Sequence, residues 1–240
     1  MASKRDLWEQ SFLYENIPGF PCPACDRGIM AVSNGSFTVT ETTPSARRRQ
    51  KERVKPQDVE HRFIMLLECS VEDCKELMSV HGDAALYERN YREHRTQAPS
   101  LLLKPKGMNP APPLASIPAE TPAAVARDIK IAFRLFWVDL GACANRLRIA
   151  VERILDAMEV KDGKLVDRIN AFEEREPEHA GTFDALRYVG NVGSHEGDVE
   201  RVAVLDAFEL LQEAIAELFG RRSAKINEMR QRLIKSKGRY

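Results

Sequence analysis

A two-part α+β architecture is predicted by three observations: short runs rich in β-formers before residue 99, seven of the thirteen prolines gathered between Pro99 and Pro122, and a helical apolar period from residue 121 onward. The first part, residues 1–98, reads as a small β domain organised around four cysteines and carrying a long insert. Residues 99–120 read as a proline-rich bridge, and residues 121–240 as an antiparallel α-helical bundle ending in a basic helix.

Strands are expected at 28–32, 36–40, 62–68 and 76–80, where Val, Ile, Phe and Thr are dense, and Asn34-Gly35 marks a hairpin turn. The bridge contains too few backbone donors for regular pairing, so it should run extended. Leu101, Leu102, Leu103 and Leu114 are too apolar for a free linker and place it along a surface. Thr121 is the expected N-cap of the first bundle helix, with Pro122 at its first position. Val125, Ile129, Ala132, Phe136 and Leu140 then recur at helical spacing. The pattern repeats in Leu147, Val151, Ile154 and Met158, in Leu165, Ile169 and Phe172, and in Val204, Phe208, Leu211, Ile215 and Leu218. With the segment RYVGNVGSH at 187–195 this gives five helices and a basic sixth.

Of the 240 residues, 43% are hydrophobic and 30% charged, which suits a folded chain with a sizeable core. No run of eighteen apolar residues occurs, and the opening MASKRDLWEQ has no apolar middle of a secretory signal, so a cytoplasmic protein with reduced cysteines and no membrane contact is expected. The formal net charge is zero, but cations cluster in two places. Arg47, Arg48, Arg49, Lys51, Arg53 and Lys55 form one cluster, and Arg221, Arg222, Lys225, Arg230, Arg232, Lys235, Lys237 and Arg239 the other. Each is either a solvated face or a surface for a polyanion such as RNA or DNA.

Cys22 and Cys25 in CPAC, with Cys69 and Cys74 in CSVEDC, make two short-spaced thiol pairs beside expected strands. That is a zinc-ribbon-like layout: four soft ligands delivered by two tight turns suit a tetrahedral structural Zn²⁺, and four protein ligands leave no open position for catalysis. Ordinary buried cysteines, or His61 or His81 replacing one thiol, are the alternatives. Cys143 has no partner at the start of a helical pattern and reads as a small core residue.

In RYVGNVGSH, Arg187, Asn191 and His195 follow at four-residue steps and share one face if the segment is helical. Gly190 and Gly193 each cost about 1 kcal/mol in a helix interior, so close helix crossing or another constraint must account for them. No phosphate loop of the GxxxxGK[ST] type, GxSxG elbow, HExxH helix or GxGxxG turn is present.

The succession TPAAV, GACANRLRIAVERIL, LVDRINAF and LRYVGNVGSHEGDVE, spanning about residues 118–219, resembles the bacterial family called domain of unknown function 4145. Arg148 and Glu152 match its first motif; Arg187, Gly190, Asn191 and His195 match its second. The resemblance extends to the HEPN superfamily of helical, frequently dimeric domains, which includes metal-independent ribonucleases of defence and restriction systems. It implies a HEPN-like bundle, a homodimer, and a nucleic acid or a defence-system protein as partner. It further implies His195 as general acid or base on RNA, Arg187 as the cation facing the phosphate, Asn191 as orienting group, and Arg148 and Glu152 in support. The active pattern is RNxxxH, and here Gly190 occupies the position of its arginine.

Overall fold

The computed structural model describes residues 5–25, 27–87, 100–194 and 198–239 in full, and residue 195 through its backbone. The chain divides into two compact units, Met1–Pro113 and Leu114–Tyr240.

The first unit is built on a six-stranded antiparallel sheet, larger than the small ribbon expected. Its strands are β1 (Phe12–Leu13), β2 (Met30–Val32), β3 (Thr38–Glu41), β4 (His61–Cys69), β5 (Leu77–Tyr87) and β6 (Ser100–Asn109). Their order is β1-β6-β5-β4-β2, with β3 also on β4. Strict alternation on β4 buries Phe63, Met65, Leu67 and Cys69 and turns Arg62, Ile64 and Leu66 outward. The opposed pairs Met65–Val80 and Leu67–Met78 continue this inner face onto β5. Trp8, Phe12 and Phe20 cap it with ring centroids 5.9 and 6.0 Å apart.

Three expectations change here. Asn34-Gly35 is a turn, with Gly35 at φ +73°, but it does not make a hairpin, because β2 and β3 both pair with β4 instead of with each other. Residues 33–37 loop out of one long edge, and Ser36 mends the ladder: its Oγ donates to the Leu66 carbonyl at 3.0 Å and accepts from the Leu66 N–H at 3.1 Å. β5 runs seven residues beyond its expected end at Val80, since pairing to long neighbours overrides the poor strand propensity of Gly82, Asp83 and Ala84. The first half of the expected bridge is strand β6, whose Pro105 lies opposite Gly82 where the register shifts, the kind of irregularity that tolerates a missing N–H.

A nine-residue helix, α1 (Thr43–Lys51), follows β3 and carries Arg47, Arg48, Arg49 and Lys51 of the first basic cluster. Thr42 caps it by accepting from the Ser45 N–H, and Ser45 is its one buried residue among the described ones. Glu41 accepts from Arg49 at 2.7 Å and from Ser45 at 3.3 Å, fixing the helix to the strand end, and the Arg49 guanidinium holds its carboxyl below the usual range.

The second unit contains α2 (Ala123–Val138), α3 (Leu140–Ala157), α4 (Leu165–Glu173), α5 (Pro177–His195), α6 (Arg201–Leu218) and α7 (Arg222–Ser236). Helix α2 starts one residue later than expected, with Pro122 at the cap, and Leu140 belongs to the next helix. The break is Asp139, extended at φ −156°, whose carboxylate accepts from the Ala142 N–H at 2.9 Å and starts α3 at once. The expected apolar stripes form the core: Ile129 and Phe136, Leu147 and Ile154, Phe172, and Phe208 and Ile215 are all buried. Phe208 meets Phe133 and Phe136 at 5.5 and 6.3 Å, while Phe172 meets Phe183 at 5.3 Å. Buried Arg168 donates to the carbonyls of Val160 and Glu152 and to the Asp156 carboxylate, tying α4 to the end of α3. No described helix is long and apolar enough to cross a membrane.

Candidate functional site

Two constellations, one in each unit, bear on function. In the first unit the short bridge Pro21–Ile29 closes the turn that carries Cys22 and Cys25. The β4–β5 connection closes the turn between Cys69 and Cys74 through Cys69 N–H to Glu76 carbonyl at 2.9 Å. The two turns are joined by Ser70, whose N–H donates to the Ile29 carbonyl and whose Oγ accepts from the Ile29 N–H. All four sulfurs lie within 4.8 Å of one another, with Cys22 to Cys74 at 3.8 Å and Cys25 to Cys69 at 3.7 Å. A tetrahedron of metal–sulfur bonds about 2.3 Å long has edges of about 3.8 Å. The four thiols are therefore close enough together to hold one metal ion, and neither His61 nor His81 belongs to the cluster.

The surrounding backbone is arranged for thiolates. Each sulfur faces the N–H two residues further on: Ala24 for Cys22 and Val71 for Cys69, both at 3.4 Å, Arg27 for Cys25, and Glu76 for Cys74. Donors aimed at sulfur stabilise the charged form. The Arg27 N–H, with help from Gly28 and the Cys74 and Cys69 thiols, draws Cys25 down to about 6. At Cys69 the Val71 N–H pulls the same way, but desolvation and the other three thiols push it up to about 12. Cys74 is raised as well: its Glu76 N–H lowers it, yet burial and the Cys25 and Cys22 thiols prevail. With Cys69 and Cys74 held protonated by their crowded surroundings, a cation among the sulfurs is what would let them be thiolates beside Cys25. Gly28 completes the site, since a Cβ there would lie 2.2 Å from the Cys69 sulfur. The sequence reading placed that glycine at the start of the strand expected at 28–32 and missed its role here, for which its place three residues after Cys25 was the available signal.

Cys143 stands apart in the helical unit, buried, with its thiol donating to the Ala132 carbonyl at 3.2 Å. Burial pushes its ionisation far upward, as befits a core residue.

In the second unit the segment RYVGNVGSH is helical throughout and ends α5, so Arg187, Asn191 and the backbone of His195 follow along one face at successive turns. The side chain of His195 and residues 196–197 lie outside the described residues. Arg187 donates from Nε to Asp184 at 2.7 Å and lies 4.2 Å over the Tyr188 ring. Its pKa is raised, chiefly by the bond to Asp184. Asn191 is half-buried. On α3, Arg148 donates to Glu152 at 2.8 Å and to Asn145 at 3.2 Å.

The glycines have a packing explanation. A Cβ on Gly190 would lie 2.6 Å from the Arg148 Cβ and 3.1 Å from the Ala144 carbonyl oxygen, and one on Gly193 would lie 2.6 Å from the Gly141 carbonyl oxygen. Contacts of Gly193 with 141 and of Gly190 with 144 and 148 make α3 and α5 an antiparallel pair crossing backbone to backbone. Gly141, which the sequence reading did not single out, is the third member of this crossing.

The α1 cluster borders a cleft of about 690 Å³ in the first unit, whose walls include Arg48, Arg53, Lys55, Arg62 and Lys104. Arg48 donates to the Asp58 carbonyl and Arg62 pairs with Asp83 at 3.0 Å.

Against known proteins, residues 130–234 match the family described as domain of unknown function DUF4145, and residues 10–102 match the one described as domain of unknown function DUF8608. The first match takes in the end of α2 through most of α7, and the second most of the sheet and all four clustered cysteines. No curated protein matches, and no solved structure matches.

Proposed function

We propose that the chain is a recognition module: a β domain stapled by one structural Zn²⁺, joined to a HEPN-like helical domain that dimerises and engages nucleic acid or a partner protein in a bacterial defence or restriction system, in the cytoplasm. Cys22, Cys25, Cys69 and Cys74 hold the zinc as thiolates. Bound there, the ion supplies cross-linking between the two turns and no reaction chemistry, because four protein ligands fill its tetrahedron. The resemblance of the helical half to HEPN-type domains supports the biological setting and the dimer, and the exposed cations Arg47, Lys51, Arg53 and Lys55 support a polyanion surface on the first unit.

One observation carries recognition over catalysis. Gly190, in the place of the motif arginine, is packed so closely on Arg148 that not even a Cβ fits, and Arg187 is already engaged by Asp184 and Tyr188. The alternative, a metal-independent ribonuclease using His195 and Arg187 with Asn191, is favoured by the shared helical face of these residues.

A single experiment separates the readings. Labelled RNA and tRNA are incubated with the protein in EDTA, and binding is followed in parallel without EDTA. Recognition predicts binding without cleavage. Loss of affinity in Arg47→Glu/Lys51→Glu should come with a salt slope shallower by about 2, near 0.9 per lost phosphate contact. Cleavage abolished by both His195→Ala and Arg187→Ala would establish the nuclease instead.

A further inference from the structure

We propose that α7 is the docking surface for an acidic amphipathic helix of a partner protein. Among the described residues α7 buries none of its fifteen. Its start is anchored, with Arg222 bonded to Glu213, the Ser223 N–H and Oγ donating to Glu217, and Lys225 paired with Glu120 at 3.0 Å. Beyond this first turn, Ile226, Met229, Leu233 and Ile234 stand 41%, 47%, 43% and 64% exposed, more apolar surface than a solvated helix has use for.

The spacing identifies the kind of partner. Ile226, Met229 and Leu233 recur at three and four residues, an a-d-a seam of a coiled coil. In that frame, beyond the anchored first turn, Arg232 falls at g and Arg230 at e. Both flanking positions of the exposed seam are therefore basic. A second copy of α7 would set like charges against each other in either orientation, since parallel helices pair g with e and antiparallel helices pair g with g and e with e. A membrane surface fits poorly too, because Arg230 interrupts the apolar arc between Ile226 and Ile234 and the helix has no aromatic residue. Nucleic acid has no use for four exposed aliphatic side chains. A helix with aliphatic residues at a and d and Glu or Asp at e and g satisfies both the seam and the charges. This gives the recognition reading a partner class and rests on that reading, but it involves neither the thiol cluster nor the α1 cations.

The test uses the full chain and two synthetic helical probes with Leu and Ile at a and d, one with Glu and the other with Lys at every e and g position. The acidic probe should bind at least tenfold more tightly than the basic one, and less tightly as salt rises. Leu233→Asp should weaken it at least tenfold, while Arg230→Glu/Arg232→Glu should reverse the preference toward the basic probe. All variants are solvent-facing, and unchanged helical circular dichroism verifies that each is folded. Equal binding of the two probes, no binding, or a Leu233-sensitive interaction with phosphatidylserine vesicles or duplex RNA in place of the acidic probe would overturn the proposal. Loss of RNA binding in the α1 variant leaves it untouched, so the two readings fail separately.

Discussion

Helix α5 contains glycines whose replacement by alanine should have opposite effects. Gly181 is exposed, and a Cβ there meets nothing within 4 Å, so Gly181→Ala adds only helix propensity and should stabilise the helical unit by up to about 1 kcal/mol. Gly190→Ala brings the same gain, but its Cβ arrives 2.6 Å from the Arg148 Cβ and 3.1 Å from the Ala144 carbonyl. Neither neighbour is the far end of a flexible side chain, and ordinary carbon contacts are about 3.5–4.0 Å, so α3 and α5 must part by about 1 Å. Overpacking of this kind costs typically about 1–3 kcal/mol. Because the separation also loosens Gly193 on Gly141, the upper half of that range is expected, for a net loss of about 1–2 kcal/mol. At about 3–5 °C per kcal/mol for a unit of this size, the helical transition should fall by about 3–10 °C in Gly190→Ala and rise by a few degrees in Gly181→Ala. Thermal melts at 222 nm, repeated in urea, read both. If Gly190→Ala is as stable as Gly181→Ala, the close crossing is not what excludes a side chain from position 190, and the case against a motif arginine there collapses.

Four further outcomes follow from the two units. Gly28→Ala forces the Cys69 sulfur from its position and should weaken metal retention against a chromogenic chelator at least tenfold. Gly35→Ala, at φ +73° with open space around it, should cost about 1 kcal/mol of stability and leave metal retention unchanged. In metal-free protein at pH 7, iodoacetamide followed by mass spectrometry should label Cys25 first, since its thiol ionises at about 6 and is mostly thiolate. Cys69, pushed up to about 12, should label slowly, and Cys143 only on unfolding; lowering the pH to 5 should suppress the Cys25 reaction. Arg168→Met removes three bonds from a buried guanidinium to the end of α3 and should destabilise the helical unit by about 2–4 kcal/mol. Arg168→Lys should recover less than half, because an ammonium cannot reproduce the fork, and full recovery in urea melts would contradict that geometry.

How much was legible in the sequence depended on how local the deciding force was. The bundle's stripes, from Ile129 to Ile215, were readable because helical burial repeats within a few residues. The four clustered cysteines were readable for the same reason, as each pair is a local turn. The pairing of β2 and β3 with β4, and the strand at 100–109, depended on partners far along the chain; a turn signal at Asn34-Gly35 and prolines near Pro105 could not reveal them. The reason for Gly190 and Gly193 was equally remote, since it lies in the backbone of α3 around Gly141 and Ala144. The role of Gly28 escaped notice because its constraint is the sulfur of Cys69, forty-one residues away in sequence.

The most direct measurement for the metal-stapled recognition module is elemental analysis of freshly purified protein together with a count of alkylatable thiols. One zinc per chain is predicted, with the four clustered cysteines protected until a chelator removes the ion, and with zinc lost in Cys22→Ser/Cys69→Ser. Protein free of metal, with all four thiols reacting or joined in disulfides, would contradict it.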